Sequence, residues 1–298
     1  MSSWRADIES IQGIKCKWDI DLTNLSTFRM SSRGDLIEVA SETALAALLP
    51  KLNAHHVSYR ALGWGANQVL AVIERDVLLK LDFPFDSSIL DSVHESYSLP
   101  ASVGLNLLSA HAIKFGLKGW EVLTGIPASL GGAIYMNAGT THGEIRQLLK
   151  AVRVMNKFGE IRTEMIESGH FSYRKNHFVK PGEVIVGATI FHHGIDENIP
   201  DKIRHYLDMR KNSQPLATKN CGCVFKNASP TRQAGRLIDL TGLKGLSVGA
   251  LRVSPKHANF MENSGTANHQ DFEQLVKLIN QQMRLHWGVT FELEVKAL

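Results

Sequence analysis

The chain has 298 residues, enough for two domains or three, because single cores rarely grow past roughly 250–300 residues. Hydrophobic residues make up 44% and charged residues 21%, an ordinary globular mix, and three cysteines are too few for a secreted disulfide scaffold. The formal net charge is only +4, with basic residues scattered and no aromatic interleaving, which argues against a nucleic-acid partner and leaves room for an anionic small molecule.

The opening MSSWRADIESIQGIKCKWDI has no apolar core of signal-peptide length, and no later run approaches the ~18 residues of a membrane span. No membrane partner is expected, and a cytoplasmic, reducing setting is. SETALAALLPKLNAHH places Leu45, Leu48, Leu49 and Leu52 at helical spacing behind a Ser41 cap. VSYRALGWGANQVLAV reads as strand, glycine turn, strand, and VLLKLDF as a buried strand. GLNLLSAHAIKFG predicts a helix stopped by Gly116. AVRVMNKFGEIRTEM predicts a hairpin turning at Gly159, and EVIVGATIFHH another strand.

After Gly194, DENIPDKIRHYLDMR and RQAGRLIDLTG read as helices. In NHQDFEQLVKLINQQMRLHWG, Phe272, Leu275, Val276, Ile279 and Met283 share one helical face, with Asn268 as N-cap and Gly288 as stop. VTFELEVKAL predicts a closing strand. Glycine-rich strands followed by helices predict an α+β protein.

Two glycine-rich stretches point to anion binding. In GWGAN (Gly63, Trp64, Gly65, Ala66, Asn67), backbone N–H groups can approach a phosphate without Cβ obstruction. GIPASLGGAIYMNAG, residues 125–139, is too apolar for a solvated loop and too rich in glycine for a stable helix. It predicts a second backbone cradle, and two cradles suit a dinucleotide. The thiol pair in KNCGCVFKN, Cys221 and Cys223, leaves three readings open: half of a metal site, a strained redox pair, or one reactive thiol beside a packed one.

These motifs, in order, resemble the UDP-N-acetylenolpyruvoylglucosamine reductase (MurB) family, in its shorter type II branch, within the vanillyl-alcohol-oxidase-type flavoproteins. NLSTFRM, GWGAN, GIPASLGGAIYMNAG, FSYRKNHF, SQP, CGCVFKN, the stretch ending KHANFMEN, and FELEVKAL carry the resemblance across residues 22–298. The chain departs from the pattern at Ser31–Ser32, Ala128, Thr141, His142, Asn176 and Ala228.

The resemblance implies a two-part FAD-binding unit of the vanillyl-alcohol-oxidase/PCMH type plus a C-terminal α/β substrate-binding domain. Residues 1–82 and 83–195 would form the FAD-binding subdomains and 196–288 the substrate domain, with the strand 289–298 returning near the active site. It implies noncovalent FAD on Gly63, Trp64, Gly65, Ala66, Asn67, Gly125, Ile126, Pro127, Ala128, Ser129, Gly131, Gly132, Asn137, Ala138 and Gly139. It implies reduction of UDP-N-acetylglucosamine enolpyruvate with NADPH for peptidoglycan synthesis, by a protein expected to be a monomer. Cys223 stands where the family has its proton-donating serine. A thiol, with an ordinary pKa of ~8.5, is a stronger acid than an alcohol. Arg174 would hold the substrate carboxylate, and Glu294 would present a proton to it. Glu292, two residues earlier, would share a strand face with Glu294. Tyr173, Asn227 and Lys226 would touch substrate; no metal is implied. His257 and Asn259 would be structural or supporting. The alternatives are another oxidase of the same superfamily, and a nucleotide-sugar or flavin-binding protein without turnover.

Overall fold

The helix expected behind Ser41 runs Glu42–Ala54 in the computed structural model, which describes residues 3–70 and 76–297. The Ser41 hydroxyl accepts from Ala44 N at 3.0 Å, and Leu45, Leu48, Leu49 and Leu52 are all buried. This helix is the crossover between two strands that both lie parallel to Asp76–Leu81, namely Arg33–Val39 and Ser58–Leu62. Ile14–Asp21 completes the four-stranded sheet at its outer edge.

Two units are distinguished by their internal contacts. The first comprises Met1–Trp18, Asp35–Gly63 and Arg75–Leu207; the second comprises Asp19–Gly34, Trp64–Glu74 and Asp208–Leu298. The first unit also holds a wholly antiparallel sheet in the order Ile161–Met165, Leu149–Met155, Val184–Phe191, Ser96–Pro100. The Gly159 hairpin is its first pair, as predicted. One face of this sheet, through Met155, Val184 and Val186, packs with Leu45, Leu48 and Leu79. The other, through Val154, Ile185 and Ile190, packs with Leu108, Trp120, Leu130 and Ile134. The helix carrying Leu108, Leu105–Phe115, stops at Gly116 in the left-handed conformation.

Residues 125–139 differ from expectation. The loop ends at Ser129, and a short helix, Leu130–Tyr135, follows despite Gly131 and Gly132. Burial outweighs propensity here, since Leu130, Gly131, Ala133 and Ile134 are all buried. Gly131 is needed for that packing, because a Cβ there would come within 2.8 Å of Ala101 Cβ.

In the second unit, the antiparallel strands Ser247–Val248, Leu251–Val253 and Met261–Asn263 pack with the helices Ala234–Leu240 and His269–Trp287. Asn268 and Gly288 cap the long helix as predicted, and Phe272, Leu275, Ile279 and Met283 are buried. Val276 is only half buried. Phe28 joins this core, 6.2 Å edge-to-face from Phe272.

The closing strand predicted over 289–298 is mostly irregular. Only Leu293, bridged to Phe225, and Lys296–Ala297, parallel to Gln68–Val69, pair as strand, and Leu298 lies outside the described residues. The cause is local. Glu294 N and Val295 N both donate to Val224 O, at 2.8 and 3.4 Å, the hydrogen-bond pattern of a β-bulge. Ala71 and Val72, at the end of the strand predicted after the GWGAN turn, also lie outside the described residues. Among the described residues, no helix is long and apolar enough to cross a membrane.

Candidate active site

In the first unit the two glycine-rich stretches meet. A Cβ on Gly63 would lie 3.0 Å from Ser129 Oγ and 3.7 Å from Gly132 Cα. Backbone from both stretches therefore lines one place, with Ser129 Oγ also accepting from Gly132 N at 3.4 Å. Gly125 and Pro127 are exposed ahead of this junction, Ile126 and Ala128 are half buried, and Ala128 O accepts from Leu105 N at 2.9 Å.

Arg174 sits on the two-residue turn between Phe171–Ser172 and Lys175–Asn176, with φ at 55°. A left-handed arginine costs roughly 1–2 kcal/mol, which the guanidinium contacts offset. Nη1 donates to Asn137 O at 3.3 Å and Nη2 to Gly139 O at 3.1 Å, while Tyr173 places its ring 5.0 Å from the guanidinium carbon. The turn thus fixes the arginine against the C-terminal end of the second glycine stretch, beside Ala138. Asn137 is fully buried and donates Nδ2 to Ser172 O at 3.0 Å, yet its Oδ1 has no hydrogen-bond partner among the described residues.

The rest of the first stretch belongs to the second unit. Gly65 has φ of 65°, and a Cβ there would stand 2.1 Å from Leu25 O, so its glycine is required by the chain itself. Thr27 N donates to Gly65 O at 3.3 Å. Trp64 is 43% exposed, and Ala66 follows Gly65 in the turn. Asn67 Nδ2 donates to Glu294 O at 3.2 Å, and Asn67 O accepts from Lys296 N at 2.9 Å.

Cys223 and Glu294 come together in this unit through backbone. The segment 223–226 runs between two others. On one side Cys223 bridges Phe260, and Val224 N donates to Asn259 O at 2.8 Å. On the other, Glu294 N donates to Val224 O, and Lys226 N donates to Glu292 O at 2.9 Å. Cys223 is half buried, whereas Cys221 is in the core, where burial pushes its thiol pKa far up. That separates a usable thiol from a packed one. Among the described residues, no cluster of His, Cys, Asp and Glu could hold a metal.

Glu292 lies at the exposed end of this pairing. Its carboxylate is 80% exposed and pairs with Lys226 Nζ at 3.1 Å. Asn227 Oδ1 accepts from Ala234 N at 2.9 Å, at the start of the helix Ala234–Leu240. Burial lowers the His257 pKa, and its ring stands edge-on to Phe260 at 4.7 Å. Asn263 Nδ2 donates to Phe28 O and Arg29 O, both at 2.9 Å, so the KHANFMEN motif is chiefly scaffold.

These residues fit FAD. Glycine backbones meet at Gly63 and Gly132, where a side chain would fill the approach, and the buried Asn137 Oδ1 is an acceptor suited to a ring N–H.

The profile of an FAD binding domain matches residues 36–164, and that of the C-terminal domain of UDP-N-acetylenolpyruvoylglucosamine reductase matches residues 214–298. The UDP-N-acetylenolpyruvoylglucosamine reductase of Streptococcus pneumoniae strain CGSP14 is 33% identical over 297 residues, which is 98% of this chain and 96% of its own. That of Lachnoclostridium phytofermentans is 33% identical, over 98% of this chain and 95% of its own. The crystal structure of MurB from Thermus caldophilus matches with a TM-score of 0.78 at 31% identity, over 95% of this chain and 99% of that one. With an FAD-binding domain ahead of a reductase C-terminal domain in one α+β chain, this protein belongs to the UDP-N-acetylenolpyruvoylglucosamine reductase (MurB) family.

Proposed function

We propose that the protein reduces UDP-N-acetylglucosamine enolpyruvate to UDP-N-acetylmuramate with NADPH, through noncovalent FAD, in cytoplasmic peptidoglycan precursor synthesis, as a monomer. The observation that carries the reading is that Cys223 and Glu294 lie on neighbouring, hydrogen-bonded segments, Glu294 N donating to Val224 O. Both stand in motifs that resemble the family's acid-bearing segments, and the chain is related to these reductases along nearly its whole length. The functional division remains 1–82 and 83–195 for FAD and 196–288 for substrate, with 289–298 supplying Glu294.

Bound FAD supplies hydride transfer between NADPH and the enolpyruvyl double bond, and it is held by the backbone of 63–67 and 125–139 and by Asn137. Hydride addition at the terminal vinyl carbon leaves negative charge on the α-carbon and its carboxylate. Arg174 meets that carboxylate with a planar fork fixed in advance on the Asn137 and Gly139 carbonyls, so little reorganisation is needed as charge builds. Glu294 presents a proton to the same carboxylate, and its aim is set by the bulge at Val224 O. Cys223 delivers its thiol proton to the α-carbon, forming the new C–H bond and leaving a thiolate that solvent reprotonates. Tyr173, Asn227 and Lys226 contact the sugar nucleotide.

The test is NADPH oxidation by the purified, flavin-replete protein. Oxidation that depends on the enolpyruvyl sugar nucleotide and yields the lactyl ether is expected. NADPH oxidation that is unchanged on adding that substrate would contradict the reading.

A further inference from the structure

Asn259 forms a closed pair with the main chain of Phe225. Its Nδ2 donates to Phe225 O at 2.8 Å, and its Oδ1 accepts from Phe225 N at 3.0 Å. An amide that satisfies both polar groups of one residue stands in for a strand neighbour. Its own carbonyl accepts from Val224 N at 2.8 Å, and the next residue, Phe260, bridges Cys223. One asparagine therefore fixes the two residues that follow the thiol.

Asn259 is itself firmly held. It is 4% exposed, and its N–H donates to His257 Nδ1 at 3.3 Å. Phe260 N donates to His257 O, and Ser254 N donates to Phe260 O, both at 2.9 Å. The loop that carries Asn259 is thus closed on itself, and the amide transmits its position to the Cys223 segment. Nothing in the reaction requires an amide at this depth. A main-chain group held only by packing would leave the thiol less exactingly placed.

We propose that Asn259 is a positioning residue for Cys223, acting through the main chain of Val224 and Phe225. The inference rests on the reading of Cys223 as proton donor. Misplacement by about 1 Å can slow a transfer step by roughly 10²-fold. Without the amide, the buried N–H and C=O of Phe225 lose their partner and the segment shifts to find others.

The experiment compares Asn259→Ala and Asn259→Asp with the wild type, each alone and in a Cys223→Ala background. Flavin reduction by NADPH and reoxidation by the enolpyruvyl substrate are measured separately by stopped flow. Cys223 alkylation by iodoacetamide is followed by mass spectrometry. Asn259→Ala should slow reoxidation by about 30-fold or more, leave reduction within about twofold, and raise the alkylation rate. Asn259→Asp keeps the size and one acceptor and should fall between; it decides the matter if the alanine variant does not fold. In the Cys223→Ala background either change should add less than about twofold, because the residue acts through the thiol. Equal slowing of both half-reactions, full additivity with Cys223→Ala, or unchanged reoxidation overturns the proposal. If Cys223→Ala alone keeps full turnover, the proton-donor reading itself falls, a result distinguishable from all of these.

Discussion

The side chain of Asn67 donates to the main-chain carbonyl of Glu294 at 3.2 Å, and the Asn67 main-chain carbonyl accepts from Lys296 N at 2.9 Å. The last residue of the GWGAN turn thus grips the bulge that carries the proposed acid. A hydrogen bond of this kind contributes about 1 kcal/mol. Asn67→Ala should therefore slow the substrate half-reaction roughly five- to tenfold while FAD is retained in full. Loss of FAD with an unchanged substrate step would assign the Asn67 side chain, and not only its backbone, to the cofactor.

The glycines of the two stretches should separate into two kinds. Among the described residues, a methyl on Gly132 would come within 4 Å of Ser129 Oγ, at 3.3 Å, and Gly63 Cα, at 3.9 Å. Gly132→Ala should fold with little change in unfolding temperature but bind FAD at least about tenfold more weakly, because the methyl blocks backbone approach. Gly65→Ala should destabilise the apoprotein as well, since its Cβ would collide with Leu25 O. Titrating apoprotein with FAD, alongside thermal melts without it, separates the two effects. Full FAD affinity in Gly132→Ala would remove that residue from the cradle.

The two thiols should also part company. General acid catalysis contributes about 10²–10⁴-fold, so Cys223→Ala should lose that much in the substrate half-reaction while Cys223→Ser keeps much of it. Cys221 is 1% exposed with its thiol pKa raised by burial, so it should resist iodoacetamide, and Cys221→Ala should act only through packing. Substrate should protect Cys223 from alkylation. Equal loss from both alanine variants would return the pair to a joint role.

Arg174→Lys should not be conservative. The lysine ammonium cannot reproduce the fork that reaches Asn137 O and Gly139 O together, nor its planar grip on a carboxylate. The substrate half-reaction should slow by about 10²-fold, with flavin reduction by NADPH nearly unchanged. Comparable slowing of both steps would place Arg174 in nicotinamide binding or in the fold.

Stability should fall on mild acidification through His111. This ring is buried, bonds Tyr97 OH through Nε2 at 2.9 Å, and has its pKa lowered by burial. Below the ordinary value of ~6.5 the unfolded chain takes up a proton that the folded chain does not, so stability is lost as pH falls through that value. At pH above it the contribution is constant. His111→Gln should flatten the drop in unfolding temperature between about pH 7 and pH 5.5. An undiminished slope in the variant would show that other groups carry it.

Features set by local chemistry were legible in the sequence. Ser41, Gly116, Asn268 and Gly288 cap their helices as their side chains, or lack of them, require. The helix at 130–135 was not legible, because its glycines argue against helix until Ala101 is seen to press against Gly131. The end of the chain was not legible either. The bulge at Glu294 depends on Val224 O, distant in sequence. The roles given to Cys223, Arg174 and Glu294 came from the resemblance to the MurB family, not from local chemistry. Asn259 carried only the faint signal of its place in KHANF, and no pattern reveals that an amide is spent on a neighbouring main chain.

The most direct test of the account is a single turnover in D₂O, with enzyme-bound flavin reduced by NADPH and then mixed with UDP-N-acetylglucosamine enolpyruvate. The account predicts UDP-N-acetylmuramate carrying a solvent deuteron on the α-carbon, formed at the rate of flavin reoxidation and slowed about 10²–10⁴-fold in Cys223→Ala. A wild-type reaction that yields no lactyl ether, or one whose α-carbon carries no solvent deuteron, would contradict it.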